Sequence, residues 1–285
     1  MRLRYGVRRE LLFVALALPS LIGLLTFFII PFVLSAQMAT IDNPVGRNFV
    51  GLDHFRATFE NAAFRLAAEN TIRFISMSVP INMAFALVIA LMLRRVGGIG
   101  KALLGTLFIL PLVVPSGSVV HFWWSLFGHT GFINSMSGET TNWFNTDYAL
   151  FFVVIIFLWK NVGFNIVLYL AGLNLIPKEY YENAAMDGAG KFRQFFSITL
   201  VYLMPATFMV FLLSIIQSFQ SFREIFLLTG AYPHRSLYML QHYLNNLFAA
   251  LDYQRMSAAT YILTLCIVAL VLIMLWVQKR VMNYD

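Results

Sequence analysis

Apolar side chains gather into six long runs, at 11–36, 71–93, 102–127, 150–173, 198–222 and 258–277, with shorter polar segments between them. A helix needs about 20 predominantly apolar residues to cross about 30 Å of hydrocarbon, where no water is available to pair with backbone N–H and C=O groups. Each run meets that length, so the pattern predicts six membrane-spanning helices, an all-α membrane protein in one domain over residues 1–285. Arg2, Arg4, Arg8 and Arg9 ahead of the first run look like the basic start of a secretory signal. The run is about ten residues longer than the apolar part of such a signal and has no clear small-x-small cleavage site, so it reads as a span. Pro19 and Pro31 in the first run, and Pro111 with Pro115 in the third, predict bent helices.

Orientation follows from the basic residues, which concentrate in cytoplasmic segments. With the N-terminus inside, the N-terminal arginines, Arg94, Arg95, Lys101, Lys178, Lys191, Arg193, Lys279 and Arg280 make twelve cytoplasmic cations. Arg47, Arg56, Arg65, Arg223, Arg235 and Arg255 make six outside. The asymmetry places both termini in the cytoplasm. The outer segment 37–70, with Asp42, Asp53, Glu60 and Glu69, has room for short surface helices but not for a soluble domain.

Composition excludes several classes. Hydrophobic residues make up 60% and charged ones 12%, against about 45–50% and about 25% in soluble domains. The net charge of +7 sits in clusters between apolar runs, which speaks for membrane topology and against a nucleic-acid partner. Cys266 is the single cysteine, and the five His show no ligand-like spacing, so neither a disulfide nor a metal site is expected. Arg95-Val-Gly-Gly-Ile-Gly-Lys-Ala102 fails as a phosphate-binding loop, which needs Gly at the first of these positions and Ser or Thr at the last. No Ser/His/Asp set appears, and the thirteen carboxylates fall in loops or at span ends. That distribution argues against a membrane enzyme and against an ion-coupled carrier with an acidic relay.

The segment 176–197, between the fourth and fifth runs, has its own helix signals. Pro177 suits a first helical position, Glu179 and Glu182 favour the positive N-terminal end, and Gly188 is placed to end a helix of about ten residues. So short a helix is marginal alone in water. Ala184 and Ala185 give it a small-residue face that another surface can approach closely.

Glu182-x-Ala184-x-x-Asp187-Gly188-Ala189, followed by Ile198-Thr-Leu200, resembles the EAA loop of permease subunits in binding-protein-dependent ABC importers. The chain departs from that pattern at Asn183 and Val201. Phe49-Val-Gly-Leu-Asp-His-Phe55, Gly131-Phe-Ile-Asn134 with Trp143, Trp159-Lys-Asn-Val-Gly-Phe-Asn165 with Leu170-Ala-Gly-Leu173, and Phe222-Arg-Glu through Tyr243 are similar, in the same order, to segments of carbohydrate-type permeases of the maltose and glycerol-phosphate kind. The resemblance implies a bacterial cytoplasmic-membrane importer of two permeases, two ATP-binding subunits and an extracytoplasmic solute-binding protein. It implies a carbohydrate cargo, with ATP and Mg on the ATPase and no cofactor on this chain. Carried across, Glu182 would pair with a basic group of the ATPase, Ala184 would allow close docking, and Asp187-Gly188 would form the turn between two short helices, with Ala189 also among the ATPase-coupling residues. A heterodimer of permeases is the expected assembly.

Polar groups inside the runs are candidates for the solute path, because their burial in lipid is costly. Ser214, Gln217, Ser218 and Ser221 recur at helical spacing on one face, as a channel wall or as hydrogen-bonding groups for a neighbouring helix. Lys160, with Asn161 and Asn165 one turn apart, lies well inside the fourth run and needs a partner, water or solute. Both readings stay open at this level. So does a different cargo, such as an amino acid, peptide or oxyanion. A stand-alone secondary carrier is disfavoured, since no internal repeat is evident.

Overall fold

The structure is a computed structural model that describes residues 2–96, 98–138 and 140–282. The side chains of residues 2–12 and of Lys101, which carry part of the orientation count, lie outside the described set. The described chain is helical throughout, apart from turns and one antiparallel bridge between Ile41 and Phe49. Its helices are α1 (Arg2–Leu24), α2 (Ile30–Met38), α3 (Asp53–Glu60), α4 (Ala62–Arg95), α5 (Gly98–Val113), α6 (Ser116–Phe127), α7 (Phe132–Ser137) and α8 (Ala149–Asn174). They are followed by α9 (Lys178–Met186), α10 (Lys191–Gln194), α11 (Leu200–Gln220), α12 (Phe222–Thr229), α13 (Leu240–Ala249) and α14 (Tyr253–Met282).

Among the described residues, five helical stretches are long and apolar enough to cross a membrane: Phe13–Met38, Ala62–Arg95, Ala149–Asn174, Lys191–Thr229 and Tyr253–Arg280. The third apolar run differs from expectation. It is broken and not merely bent: Leu103–Val113 and Ser116–Ser137 meet at 97°, and the pair makes a sixth candidate span when taken together. Pro115 is responsible, since it has no N–H to continue the ladder and adopts ψ 141 as the N-cap of α6. Pro111, by contrast, stays inside α5. Pro31 follows a π-helical segment, Leu25–Ile29, of the sort that re-pairs backbone groups freed by proline.

The fifth run is also longer than its apolar core suggests. It starts at Lys191, passes through a π turn at Phe195–Thr199, and steps at Ser221 into α12. Arg223 and Glu224 therefore belong to a candidate span instead of lying in an outer loop and at a span end.

The chain divides into two compact units. One comprises residues up to Asn61 together with Asn246–Ile267. In it the Tyr261 hydroxyl donates to the Phe32 carbonyl, and the two rings lie 4.7 Å apart. The turn after α2 is organised by Asp42, whose carboxylate accepts from the Asn48 side chain at 2.8 Å and from the Asn48 amide at 3.0 Å. The Asn48 side-chain bond leads in holding this carboxyl below its ordinary value, against the opposing effect of burial and with the help of backbone amides.

The other unit, Ala62–Asn245 with the chain from Val268 on, is built around α8, which packs on α4, α5 and α11. Small residues allow these approaches, as is usual where helices pack in lipid. Ala86 and Ala90 of α4 are fully buried against Ile166, Tyr169 and Leu173 of α8 and Leu203 and Val210 of α11. A Cβ at Gly172 would come within 2.8 Å of the Ala206 Cβ. At Gly163 the approach is closer still: a Cβ there would overlap the carbonyl of Phe108 in α5. A second cluster joins Phe74, Val153, Phe157, Ile225 and Leu237. A third stacks Trp123, Phe144 and their aromatic neighbours at the α6 end.

His242 is fully buried in α13, with its ring edge-on to Phe222 at 4.9 Å, and Nδ1 accepts from the Met239 amide at 3.2 Å. Burial lowers its pKa from 6.5 to about 4. Between those values the unfolded chain binds a proton that the folded chain refuses, so stability falls as pH drops from 6.5 towards 4. The loss should reach about 3 kcal/mol at about 1.4 kcal/mol per pH unit. Thermal melting in detergent at pH 7 and pH 4.5 will measure it, and His242→Leu should flatten that dependence.

Candidate functional site

The EAA-like segment forms α9 as its end signals predict, with one shift in register. Pro177 is the N-cap, not the first helical residue, because its ψ of 139 is extended. Glu179 stands in the first turn, where the helix dipole favours a negative charge. The C-terminal end closes as a Schellman motif. The Gly188 amide donates to the Ala185 carbonyl at 3.1 Å and the Ala189 amide to the Ala184 carbonyl at 2.8 Å. Gly188 takes φ +77, a conformation L side chains resist, although open space surrounds it.

The two faces of α9 differ. Glu182, Ala185 and Asp187 are exposed, Met186 is 80% exposed, and Ala184 and Ala189 are half-buried. On the other face the Tyr181 hydroxyl pairs with Thr199 Oγ1 at 2.9 Å and accepts from Arg94 Nη1 at 3.2 Å. Thr199 lies in the π turn that opens the fifth helical run. One side of α9 is thus fastened to the spans and the other is free. Neither Tyr181 nor Thr199 stands out in the sequence, since a lone hydroxyl carries no pattern.

The polar residues of the runs separate into two groups. Asn165 Nδ2 donates to Asn82 Oδ1 and to Ser214 Oγ, both at 2.8 Å, and all three residues are fully buried. Asn165 and Ser214 therefore tie α8 to α4 and α11. Ser218 is buried as well and donates to the Ile215 carbonyl of its own helix. The other end of the stripe is different. Gln217 and Ser221 line a cleft of about 280 Å³ with Lys160, Asn161, Phe164 and Glu224. Asn161 donates to the Phe157 carbonyl of its own helix at 2.9 Å.

Lys160 has a partner. Its ammonium is bonded to Glu224 Oε1 of α12, and Ser116 Oγ of α6 donates to the same oxygen at 2.6 Å. The side chains are 17% and 7% exposed. Glu224 corrects the view that all carboxylates sit in loops or at span ends. A sequence signal for it exists: Gln217, Ser221 and Glu224 continue the polar stripe at helical spacing, one step beyond the last serine. Ser116 has no such signal.

Residues 82–282 match the model of the family described as binding-protein-dependent transport system inner membrane component. The chain is 30% identical to the sn-glycerol-3-phosphate transport system permease protein UgpA of Yersinia enterocolitica, over 95% of each. It is 31% identical to the arabinooligosaccharides transport system permease protein AraP of Bacillus subtilis, over 74% of this chain and 69% of that protein. It is 30% identical to the probable ABC transporter permease protein YesP of the same organism, over 74% and 71%. A chain of the bacterial ABC transporter that imports the acidic polysaccharide alginate superposes with a TM-score of 0.85, at 24% identity over 98% of this chain and 99% of that one. The family model and these relatives together define a membrane permease, and the superposition shows the same fold. The chain belongs to the binding-protein-dependent transport system inner membrane component family.

Proposed function

We propose that the chain is one permease of an ATP-driven importer that moves a carbohydrate, an oligosaccharide by preference, across the bacterial cytoplasmic membrane. Both termini face the cytoplasm in this reading. A second, non-identical permease completes the pathway, two separate subunits bind ATP and Mg, and an extracytoplasmic binding protein delivers the solute. The observation that carries it is α9: a short helix fastened on one side through Tyr181 and presenting Glu182 on the other. A helix left exposed in this way suits docking into a cleft of an ATPase. The named cargoes of UgpA and AraP support a polyhydroxylated solute.

The solute path in this proposal runs by Lys160, Asn161, Gln217 and Ser221, while Asn165 and Ser214 hold the helices together and Ser218 is bonded within its own helix.

Glu182→Lys tests the coupling, because a reversed charge at an interface built for the opposite one costs several kcal/mol. We expect uptake with the cognate binding protein to fall at least about tenfold while the amount of folded protein in the membrane is unchanged. Normal uptake in that variant overturns the reading. Gly188→Val should act in the same direction, through backbone strain of about 1–3 kcal/mol at the turn. Uptake assays with amino acids or peptides in place of sugars decide between cargo classes.

A further inference from the structure

A second cleft lies apart from both the exposed face of α9 and the polar path. It is open, about 780 Å³ in volume, and lies between the end of α4, Tyr181 and the start of the fifth helical run. Among the described residues three cations line it, Arg94, Arg95 and Lys191, and no carboxylate does. Arg94 reaches the Tyr181 hydroxyl and lies 5.2 Å from the ring centre. Among the described residues none of the three is paired with an acidic side chain. Like charges around one concavity repel, and that repulsion is relieved when an anion enters.

Position and surroundings narrow the choice of anion. Arg94 and Arg95 close the last turn of one candidate span and Lys191 opens another, so the cations sit at the level where apolar helix gives way to polar headgroups. Phe192, which also lines the cleft, is 79% exposed, and the neighbouring Phe196 is 50% exposed. Apolar rings beside a cationic cleft suit a ligand with a charged head and a greasy tail.

We infer that this cleft binds a phosphate group, supplied by the headgroup of an anionic phospholipid. A guanidinium matches phosphate oxygens in a bidentate fork, and basic pockets between spans take such headgroups. The inference does not rest on the transport reading, because it is measured on the purified full chain.

The test titrates the protein in detergent with phosphatidylglycerol or phosphatidylcholine, reading retained lipid by native mass spectrometry and stability by thermal melting. Phosphatidylglycerol should be retained and should raise the melting temperature, and phosphatidylcholine should do neither. Arg94→Gln/Arg95→Gln/Lys191→Gln should weaken phosphatidylglycerol binding about 100-fold, at about fivefold per basic residue. Arg95→Gln/Lys191→Gln leaves the Arg94–Tyr181 contact in place and should still lose about 20-fold, which separates loss of the site from loss of the fold. Equal retention of both lipids, undiminished binding by the variants, or the same stabilisation from inorganic phosphate alone overturns the assignment. So does displacement of the lipid when the ATP-binding subunits assemble, which would give the cleft to a protein partner.

Discussion

Glu224→Ala should cost about 3–5 kcal/mol, because it leaves the Lys160 ammonium largely buried with the Ser116 hydroxyl as its remaining hydrogen-bond partner among the described residues. Lys160→Met should cost a similar amount by orphaning the carboxylate, whose side chain is 7% exposed. The double variant Lys160→Met/Glu224→Leu removes both charges together and should recover stability to within about 1 kcal/mol of the starting protein. Thermal melting of the four proteins in detergent measures the cycle. A double variant as unstable as either single change would show that the pair is not what the charges depend on. The same proteins test the role of the pair in transport. Recovered stability with lost uptake places the pair on the solute path, and recovery of both leaves it as a tie between α8 and α12.

Gly163→Leu should prevent α5 and α8 from packing at all. Even the Cβ of Gly163→Ala overlaps the Phe108 carbonyl, and backbone cannot yield as a flexible side-chain end can. The alanine variant should lose about 1–3 kcal/mol as the helices are forced apart. The leucine variant should yield no monodisperse protein on size-exclusion chromatography. Alanine at Gly105 of α5, which has nothing within 4 Å, is the control and should leave stability unchanged to about 0.5 kcal/mol. A stable, well-expressed Gly163→Leu protein would mean that the α5–α8 crossing differs from the one described.

Much of the architecture was legible in the residues alone because lipid imposes a strict local rule. Backbone groups in hydrocarbon must pair within their own helix, so run length and apolarity suffice to find the long helices near 71–93, 150–173 and 258–277. The α9 helix was legible for a different local reason: a proline start, an early carboxylate and a glycine able to take φ +77 specify its two ends. Pro115 announced a bend in the third run, yet nothing local distinguishes a modest kink from the 97° turn that makes two helices of it.

The candidate path shows where such reasoning stops. Helical spacing placed Ser214, Gln217, Ser218 and Ser221 on one face, but a face has no meaning until its neighbour is known. Packing gave Ser214 to Asn165, on α8, and left Gln217 and Ser221 beside the cleft. Lys160 required a partner on energetic grounds, and that partner is Glu224, 64 positions away.

On its own, then, the order of amino acids determined helix length, the ends of α9, the polar stripe and the need for a counter-charge, since each depends on residues within a few turns. Only tertiary structure decided which buried polar groups tie helices and which border a cleft, how closely Gly163 brings α5 to α8, and that Arg94, Arg95 and Lys191 share one concavity. Those outcomes depend on contacts between segments far apart in the chain, whose pairing arises from the joint packing of all the helices and from no one segment by itself.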